Sequence, residues 1–342
     1  MSQKALFLKS KQATFELGSK EIPKPGPGEV LVKNYAAALN PVDWKIQAYG
    51  LFLDESRYPV VLGSDTAGVV EEVGAGVARV SKGDRVTARG TFLTNNQAGF
   101  QQYTLTNSNF VAKLPDTITF DEAASLPVGV DTASIGLFGP KDGNLTFPDK
   151  LDTYKGQTIF ILGGSSSVGH YTVQAARLAG FSTIITTSSL AHENNLKSLG
   201  ATHVIDRHGS PDQIVARVKA ITSDPIRIVY DAISEDDTQK TAWAVLAPGG
   251  HLVLTLPPSV RTATGDTRTL KSVHGSPFNP VNAEFCKRWW EKLPEWLAEG
   301  KIKPNKVDVL PGGLEGVSAG VERFKASKVS GVKLIVRPFE GP

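Results

Sequence analysis

Residues 163–169 read Gly-Gly-Ser-Ser-Ser-Val-Gly and are the stretch of this sequence best suited to bind an anion. Two glycines take the first and last positions of a G-x-G-x-x-G pattern, and a serine stands at the middle one. In that pattern, backbone N–H groups at a helix N-terminus bind the pyrophosphate of a dinucleotide. The alternative is a glycine-rich turn in another kind of α/β protein. The pattern predicts these pyrophosphate contacts: Gly164, Ser165, Ser166, Ser167, Val168 and Gly169.

A second group of hydrogen-bond donors follows the next predicted strand. NAD-specific sites place an acidic residue about 20 residues beyond the turn, where it binds the ribose 2′-hydroxyl. Here Ser188 and Ser189 stand in that region, and Glu193 comes several residues too late. A carboxylate would repel a 2′-phosphate, whereas the two serines can donate to it and Arg207 can neutralise it. The sequence therefore predicts NADPH rather than NADH as the cofactor.

The glycine turn begins a regular alternation of strands and helices. The apolar run before it is typical of a strand buried on both faces, as in a parallel sheet. Strands are predicted at 157–162, 182–187, 202–206, 226–230 and 251–255, and helices at 168–179, 190–199, 212–222 and 236–247. This alternation predicts a doubly wound parallel sheet.

The residues that follow the fifth predicted strand carry two further expectations. Ligands in such sheets bind beyond the carboxyl ends of the strands. Residues 257–280, rich in proline and polar residues, are therefore predicted to form an irregular substrate lid. Residues 281–299 form an amphipathic pattern with three tryptophans, which we expect to pack in a core or a subunit contact.

Residues 1–125 show a different pattern, in which short strands are separated by glycine and proline turns. Many short strands with few helical periods predict a partly open β-barrel. The expected fold class is therefore α/β, with this barrel beside the doubly wound sheet.

Composition narrows the class of protein. The formal charge of +3 is spread along the chain without a basic block, so neither nucleic acid nor a membrane surface is an expected partner. A single cysteine, Cys286, excludes an intrachain disulfide and a cysteine-rich zinc site, and its aromatic neighbours indicate a buried thiol. An apolar N-terminal signal and a bilayer-length apolar run are both lacking in the sequence, so we expect a cytoplasmic protein.

Four segments, with the serine-bearing turn, resemble the medium-chain dehydrogenase/reductase superfamily in order and spacing. They are residues 40–45 (Asn-Pro-Val-Asp-Trp-Lys), 63–68 (Gly-Ser-Asp-Thr-Ala-Gly), 83–86 and 329–334. Within it, the chain resembles the zinc-independent quinone oxidoreductases and the fungal trans-enoyl reductases, and residues 312–316 with the serine-bearing turn resemble the trans-enoyl reductases most. The resemblance implies a GroES-like catalytic domain formed by residues 1–125 and 300–342, and a Rossmann domain at 126–299.

The same resemblance, with the chemistry of the side chains, argues against a catalytic metal. Zinc-dependent relatives have cysteine where this chain has Asn40, and Gly-His-Glu where it has Gly63-Ser64-Asp65. Asparagine and serine are poor zinc ligands, and the four-cysteine structural lobe has no counterpart. We therefore expect hydrogen-bond donors, rather than a Lewis acid, to assist hydride transfer.

Catalytic residues follow by the same resemblance. Lys45 is the leading candidate to contact the cofactor or a developing oxyanion, and Thr132 matches the threonine that relatives direct at the nicotinamide. Asp43 and Asp65 are expected to brace the site, and either Tyr49 or Tyr58 is a candidate proton donor. The cofactor contacts implied by resemblance are Val42, Asp43, Lys45, Leu254, Thr255, Leu256, Val329 and Ser330. Many relatives have a tyrosine at the place of Arg207.

The reaction these observations predict is reduction of a carbonyl-activated C=C bond by hydride from NADPH. Negative charge develops on the carbonyl oxygen, so a donor must meet it. The substrate would be an enone, enal or enoyl thioester. The alternatives are an NADPH:quinone oxidoreductase on the same fold, and an NADPH-binding structural or partner protein without turnover. A homodimer is possible, since dimers are common among relatives.

Overall fold

The computed structural model describes residues 1–141, 143, 145–149 and 152–341, which form two compact units. Unit one contains residues 1–128, 290–299 and 304–342, and unit two contains residues 129–289 and 300–303. The Rossmann domain predicted from the sequence spans residues 126–299. The domain boundaries given there stay a prediction.

Strands and helices are numbered in chain order over the described residues. The strands are β1 (Ser2–Leu8), β2 (Phe15–Glu21), β3 (Glu29–Ala38), β4 (Val60–Val61), β5 (Asp65–Val73), β6 (Arg85–Arg89), β7 (Tyr103–Asn107), β8 (Val111–Lys113), β9 (Thr158–Leu162), β10 (Thr183–Ser188), β11 (His203–Asp206), β12 (Ile228–Asp231), β13 (His251–Leu254), β14 (Thr269–Ser272), β15 (Val307–Val309) and β16 (Lys333–Val336). The helices are α1 (Pro41–Tyr49), α2 (Phe120–Ala124), α3 (Pro127–Phe138), α4 (Ser167–Ala179), α5 (Glu193–Leu199), α6 (Pro211–Ile221), α7 (Asp236–Val245), α8 (Pro280–Ala298) and α9 (Gly316–Lys325).

Unit one is built on a mainly antiparallel sheet in the order β15-β16-β3-β5-β6-β8, with β7 paired to β3 and a smaller sheet β2-β1-β4. The central strand β3 changes register twice against β5, and such bulges bend a sheet. Valines of β3, β5, β6 and β8 pack together in one core, and α1 and α9 belong to a second. This is the partly open barrel that the sequence predicts.

Unit two is built on a six-stranded parallel sheet in the order β11-β10-β9-β12-β13-β14. The central strand β9 (Thr-Ile-Phe-Ile-Leu) is buried along its length, because helices cover a doubly wound sheet on both faces. Apolar side chains of β9, β10, α6 and β13 form the core. The predicted fold class is confirmed.

The segment 257–280, predicted to be irregular, contains one strand; its predicted role as a substrate lid stays a prediction. Thr269–Ser272 forms β14, which pairs in parallel with β13 and extends the sheet by one strand. Thr269 and Ser272 at its ends are exposed and Leu270 and Lys271 between them are half-buried. Burial therefore does not alternate along this edge strand, and the sequence carries no period-2 signal for it. Over the described residues, no helix has the length and apolar character needed to cross a membrane.

Candidate functional site

The serine-bearing turn connects β9 to α4 in unit two, as predicted. Ser166 is the residue before the helix, and its hydroxyl oxygen accepts a hydrogen bond from Gly169 N at 3.0 Å. The hydroxyl hydrogen stays available, so Ser166 can cap the helix and donate to a ligand at once. The first N–H groups of a helix lack carbonyl partners within it, and those of Ser167 and Val168 belong to this first turn.

The glycines of this turn are required mainly by the protein's own packing. A Cβ on Gly169 would lie 2.1 Å from Gly163 O, and one on Gly164 would lie 2.3 Å from Thr186 Oγ1. Gly163 has a φ of +77°, which favours glycine. Helix α4 and β10 therefore approach the turn closely, and the turn leads directly into the helix N-terminus, where an anion can bind.

The predicted 2′-phosphate residues lie at the ends of two neighbouring strands. Ser188 ends β10, pairs with Asp206 of β11, and its carbonyl accepts a hydrogen bond from Arg207 N at 3.0 Å. The Ser188 hydroxyl is buried and has no hydrogen-bond partner among the described residues. Ser189 is half-buried and Arg207 is exposed. The structure thus brings these residues together at one corner of the sheet.

The end of β13 carries the predicted carboxamide contacts. Leu254 is buried, and Thr255 N donates to Ser234 Oγ at 2.8 Å. Ser234, in the loop after β12, is in turn held by the last residue of that strand, because its N–H donates to Asp231 Oδ1 at 2.8 Å. Burial raises the pKa of Asp231. Leu256 lines an open cavity of about 700 Å³ beside the N-terminus of α7.

Thr132 lies one turn into α3, in unit two. Its carbonyl accepts a hydrogen bond from Tyr230 Oη of β12 at 2.8 Å. Gly275, in the loop after β14, packs directly against it, since a Cβ there would lie 2.2 Å from Thr132 Oγ1. The predicted lid segment 257–280 therefore lies against Thr132 through Gly275, a contact that the sequence did not indicate.

Lys45 lies on α1 in unit one. It is half-buried, and its ammonium lies 6.0 Å from the ring centre of Trp44. Val42 on the same helix is half-buried against the α1–α9 core. Of the two predicted cofactor contacts near the C-terminus, Val329 packs against that core and Ser330 is exposed.

A buried polar cluster surrounds the side chain of Asn40, the residue before α1. Lys333, at the start of β16, forms an ion pair with Asp65 Oδ2 at 2.9 Å and donates to Asn40 Oδ1 at 2.6 Å. Asn40 Nδ2 donates to the same Asp65 oxygen at 2.8 Å, and Val128 N donates to Asp65 Oδ1 at 2.7 Å. Sequence reasoning missed Lys333; the only signal was a lysine at the start of an otherwise apolar strand.

Asp43 adds a second carboxyl group to this cluster. Its Oδ2 accepts a hydrogen bond from Asn40 N at 2.7 Å, whereas Oδ1 is buried without a partner among the described residues. The pKa of Asp43 is raised from 3.8 to about 7, mainly because burial disfavours the charged carboxylate. The hydrogen bond from Asn40 N and the positive charge of Lys333 lower this pKa, and the negative charge of Asp65 raises it. Asp43 and Asp65 therefore brace the base of α1 from inside the unit.

The two candidate proton donors differ in their surroundings. Tyr49 is 68% exposed at the end of α1. The Tyr58 hydroxyl is buried and has no hydrogen-bond partner within the described ranges. Burial, and then the charge of Glu55, raises the pKa of Tyr58, so this phenol is held in its protonated form.

The residues at the position of the relatives' zinc do not suit that ion. An amide, a hydroxyl and one carboxylate are the available side chains at Asn40, Ser64 and Asp65, and the carboxylate is already paired with an ammonium. Among the described residues, no group of three or more His, Cys, Asp or Glu side chains is arranged to hold a metal ion.

Two family models match this chain. The alcohol dehydrogenase GroES-like domain matches residues 26–116, and the model described as zinc-binding dehydrogenase matches residues 167–257. A trans-enoyl reductase of Aspergillus japonicus is 34% identical to this chain, and the match covers 98% of this chain and 97% of the relative. A dehydrogenase of Emericella nidulans is 33% identical, and the match covers 98% of this chain and 99% of the relative.

Solved structures share the whole fold. The human synaptic vesicle membrane protein VAT-1 homolog-like protein covers 100% of both chains at 25% identity, with a TM-score of 0.79. A quinone oxidoreductase of Coxiella burnetii covers 98% of this chain and 99% of its own at 24% identity, with a TM-score of 0.75. A mycobacterial protein solved in complex with NADPH covers 98% and 100% at 23% identity, with a TM-score of 0.76.

Proposed function

The chain belongs to the medium-chain dehydrogenase/reductase superfamily and is an oxidoreductase, and on that premise we propose that it reduces carbonyl-activated C=C bonds with NADPH, without zinc. Its trans-enoyl reductase relatives, at 27–34% identity over 92–98% of the chain, support the alkene-reducing branch. The quinone oxidoreductases among the solved structures share the fold at 24% identity. Quinone reduction is therefore the second candidate function.

Two neighbouring groups of residues carry the proposal: the turn between β9 and α4, which suits a pyrophosphate, and the ends of β10 and β11, which suit a 2′-phosphate. The α4 N-terminus follows a glycine-rich turn and has a hydroxyl at its cap, so it suits a pyrophosphate. The buried hydroxyl of Ser188 and the exposed Arg207 lie together at the ends of β10 and β11. A buried donor without a partner is costly unless a ligand accepts from it.

Hydride to the alkene is the chemistry that NADPH supplies when bound. In the proposed roles, residues of the turn hold the pyrophosphate, and Ser188, Ser189 and Arg207 hold the 2′-phosphate. Leu254, Thr255 and Leu256 are proposed for the carboxamide, and Val42, Asp43, Val329 and Ser330 for further cofactor contacts. For Asp43 we propose a contact through its backbone, because its carboxyl group is turned into the interior.

The remaining chemistry falls to donors of the chain itself. Negative charge on the substrate carbonyl oxygen must be stabilised by positioned donors, and a missing donor of this kind costs roughly 10²–10³ in rate. We propose Lys45 and Thr132 for this role. An ammonium and a hydroxyl can each donate to an oxyanion. The unfavourable ligand set around Asn40 and the Lys333–Asp65 ion pair support a reaction that needs no zinc.

The decisive experiment measures NADPH oxidation with enals, enones, enoyl thioesters and quinones, with NADH in parallel. We expect turnover of at least one activated alkene and a preference for NADPH. A protein that reduces quinones and no activated alkene would support the second candidate. NADPH binding with no turnover of any class would support a binding protein instead. A homodimer and a cytoplasmic location stay predictions.

A further inference from the structure

The buried cluster around Asn40 joins four parts of unit one. Lys333 is 3% exposed and Asp65 is fully buried, so the ion pair lies outside bulk solvent. Through it, β16 is connected to β5, to Asn40 before α1, and, by the N–H group of that residue, to Val128, the last residue of the first segment of unit one. Asn40 is the shared member: its amide oxygen accepts from Lys333 and its amide nitrogen donates to Asp65.

A buried ionic cluster of this kind adds little to the stability of the folded protein. Desolvation offsets much of the attraction in a buried ion pair, and well-packed apolar residues of similar volume are often as good or better. Its distinctive property is geometry, because several hydrogen bonds that share partners together restrict the distances and angles that those partners can take. Here that arrangement fixes Asn40, whose backbone begins the helix that carries Lys45.

We propose that Lys333 is a positioning residue for the reduction: its ammonium orients Asn40 and Asp65 and thereby sets the position of Lys45 on α1. The inference rests on the proposed role of Lys45. Lys333 acts through the helix, since it lies in the interior of the unit with its ammonium on Asn40 and Asp65.

The test compares Lys333→Met, Lys333→Arg and the double variant Lys333→Met/Asp65→Asn. A catalytic group that is misplaced by about 1 Å lowers the rate roughly 10- to 100-fold. If Lys45 is misplaced in Lys333→Met, kcat/KM should fall by about that factor. Arginine should recover part of the loss. In the double variant no unpaired charge is left behind, so the thermal midpoint should recover, while kcat/KM stays low because Asn40 has still lost its donor.

Hydrogen exchange gives a readout that does not need turnover. Amides of α1 should exchange faster in Lys333→Met and in the double variant, and those of α6 in unit two should not change. Lys82→Met is the matched control, since it removes a surface ion pair with Glu71 in the same unit. It should leave both kcat/KM and α1 exchange at their original values.

Two outcomes would overturn the inference. One is a double variant that recovers kcat/KM together with its thermal midpoint, because Lys333 would then act through stability alone. The other is unchanged α1 exchange in Lys333→Met. Lys45→Met is run in parallel: if it reduces substrate normally, the proposed role of Lys45 fails, whereas an impaired Lys45→Met beside an active Lys333→Met overturns only the role of Lys333.

Discussion

Asp43→Asn should remove a specific part of the pH dependence of stability. The carboxyl group is 1% exposed, and its pKa in the folded protein is about 7, against 3.8 for an unperturbed aspartate. Between those two values the folded state holds a proton that the unfolded state has released. The free energy of unfolding must therefore fall as pH rises through this window.

The size of the effect follows from the same two values. A rise in pKa from 3.8 to about 7 corresponds to about 4 kcal/mol at most. Asparagine keeps an oxygen that can accept from Asn40 N, and it carries no charge at any pH. The variant should match the original protein near pH 4 and be more stable by up to about 4 kcal/mol near pH 8.

Urea unfolding at a series of pH values measures this difference, with Asp84→Asn as the control. Although partial burial opposes it, hydrogen bonds from Lys113 and from Ser81 N lower the pKa of Asp84. The ionised Asp84 stabilises the folded protein above about pH 4, and this contribution is lost on acidification. Asp84→Asn should therefore not gain stability relative to the original protein as pH rises. A constant difference between the original protein and Asp43→Asn from pH 4 to 8 would show that Asp43 is already ionised in the fold.

Three further changes test the site. Arg207→Glu with Ser189→Asp should raise the KM for NADPH by about 10-fold or more, because a charge-assisted phosphate contact is worth roughly 1.5–3 kcal/mol; an unchanged ratio of NADPH to NADH use in steady-state kinetics would refute the assignment. Gly275→Ala should lower kcat by displacing the Thr132 hydroxyl, whose oxygen would lie 2.2 Å from the new Cβ. In a Thr132→Ala background the same change should cost less, because only the contacts of 2.9 Å with Cβ and 3.0 Å with Cα of residue 132 are left, and equal costs in the two backgrounds would contradict a route through the Thr132 hydroxyl. Incubation with EDTA should leave turnover intact, since the residues around Asn40 do not suit zinc; loss of activity that added zinc restores would overturn the zinc-free proposal.

The two-part fold was predictable because its signals are local. The uncharged apolar run of β9, the glycine turn and the period of α4 are each contained within a few residues, and buried parallel strands have a distinctive composition. The weaker β14 was missed for the converse reason. It is an edge strand with polar residues, and only its pairing with β13 makes it a strand.

Within the candidate site, the sequence by itself determined the residue types and the tertiary structure decided their partners. The run of serines and glycines predicts an anion-binding turn because one helix N-terminus contains the whole motif. Contacts between distant segments have no such local signal. The pairing of Lys333 with Asn40 and Asp65, and the packing of Gly275 on Thr132, arise only when the chain is folded, because side-chain charge and close packing depend on neighbours far away in sequence.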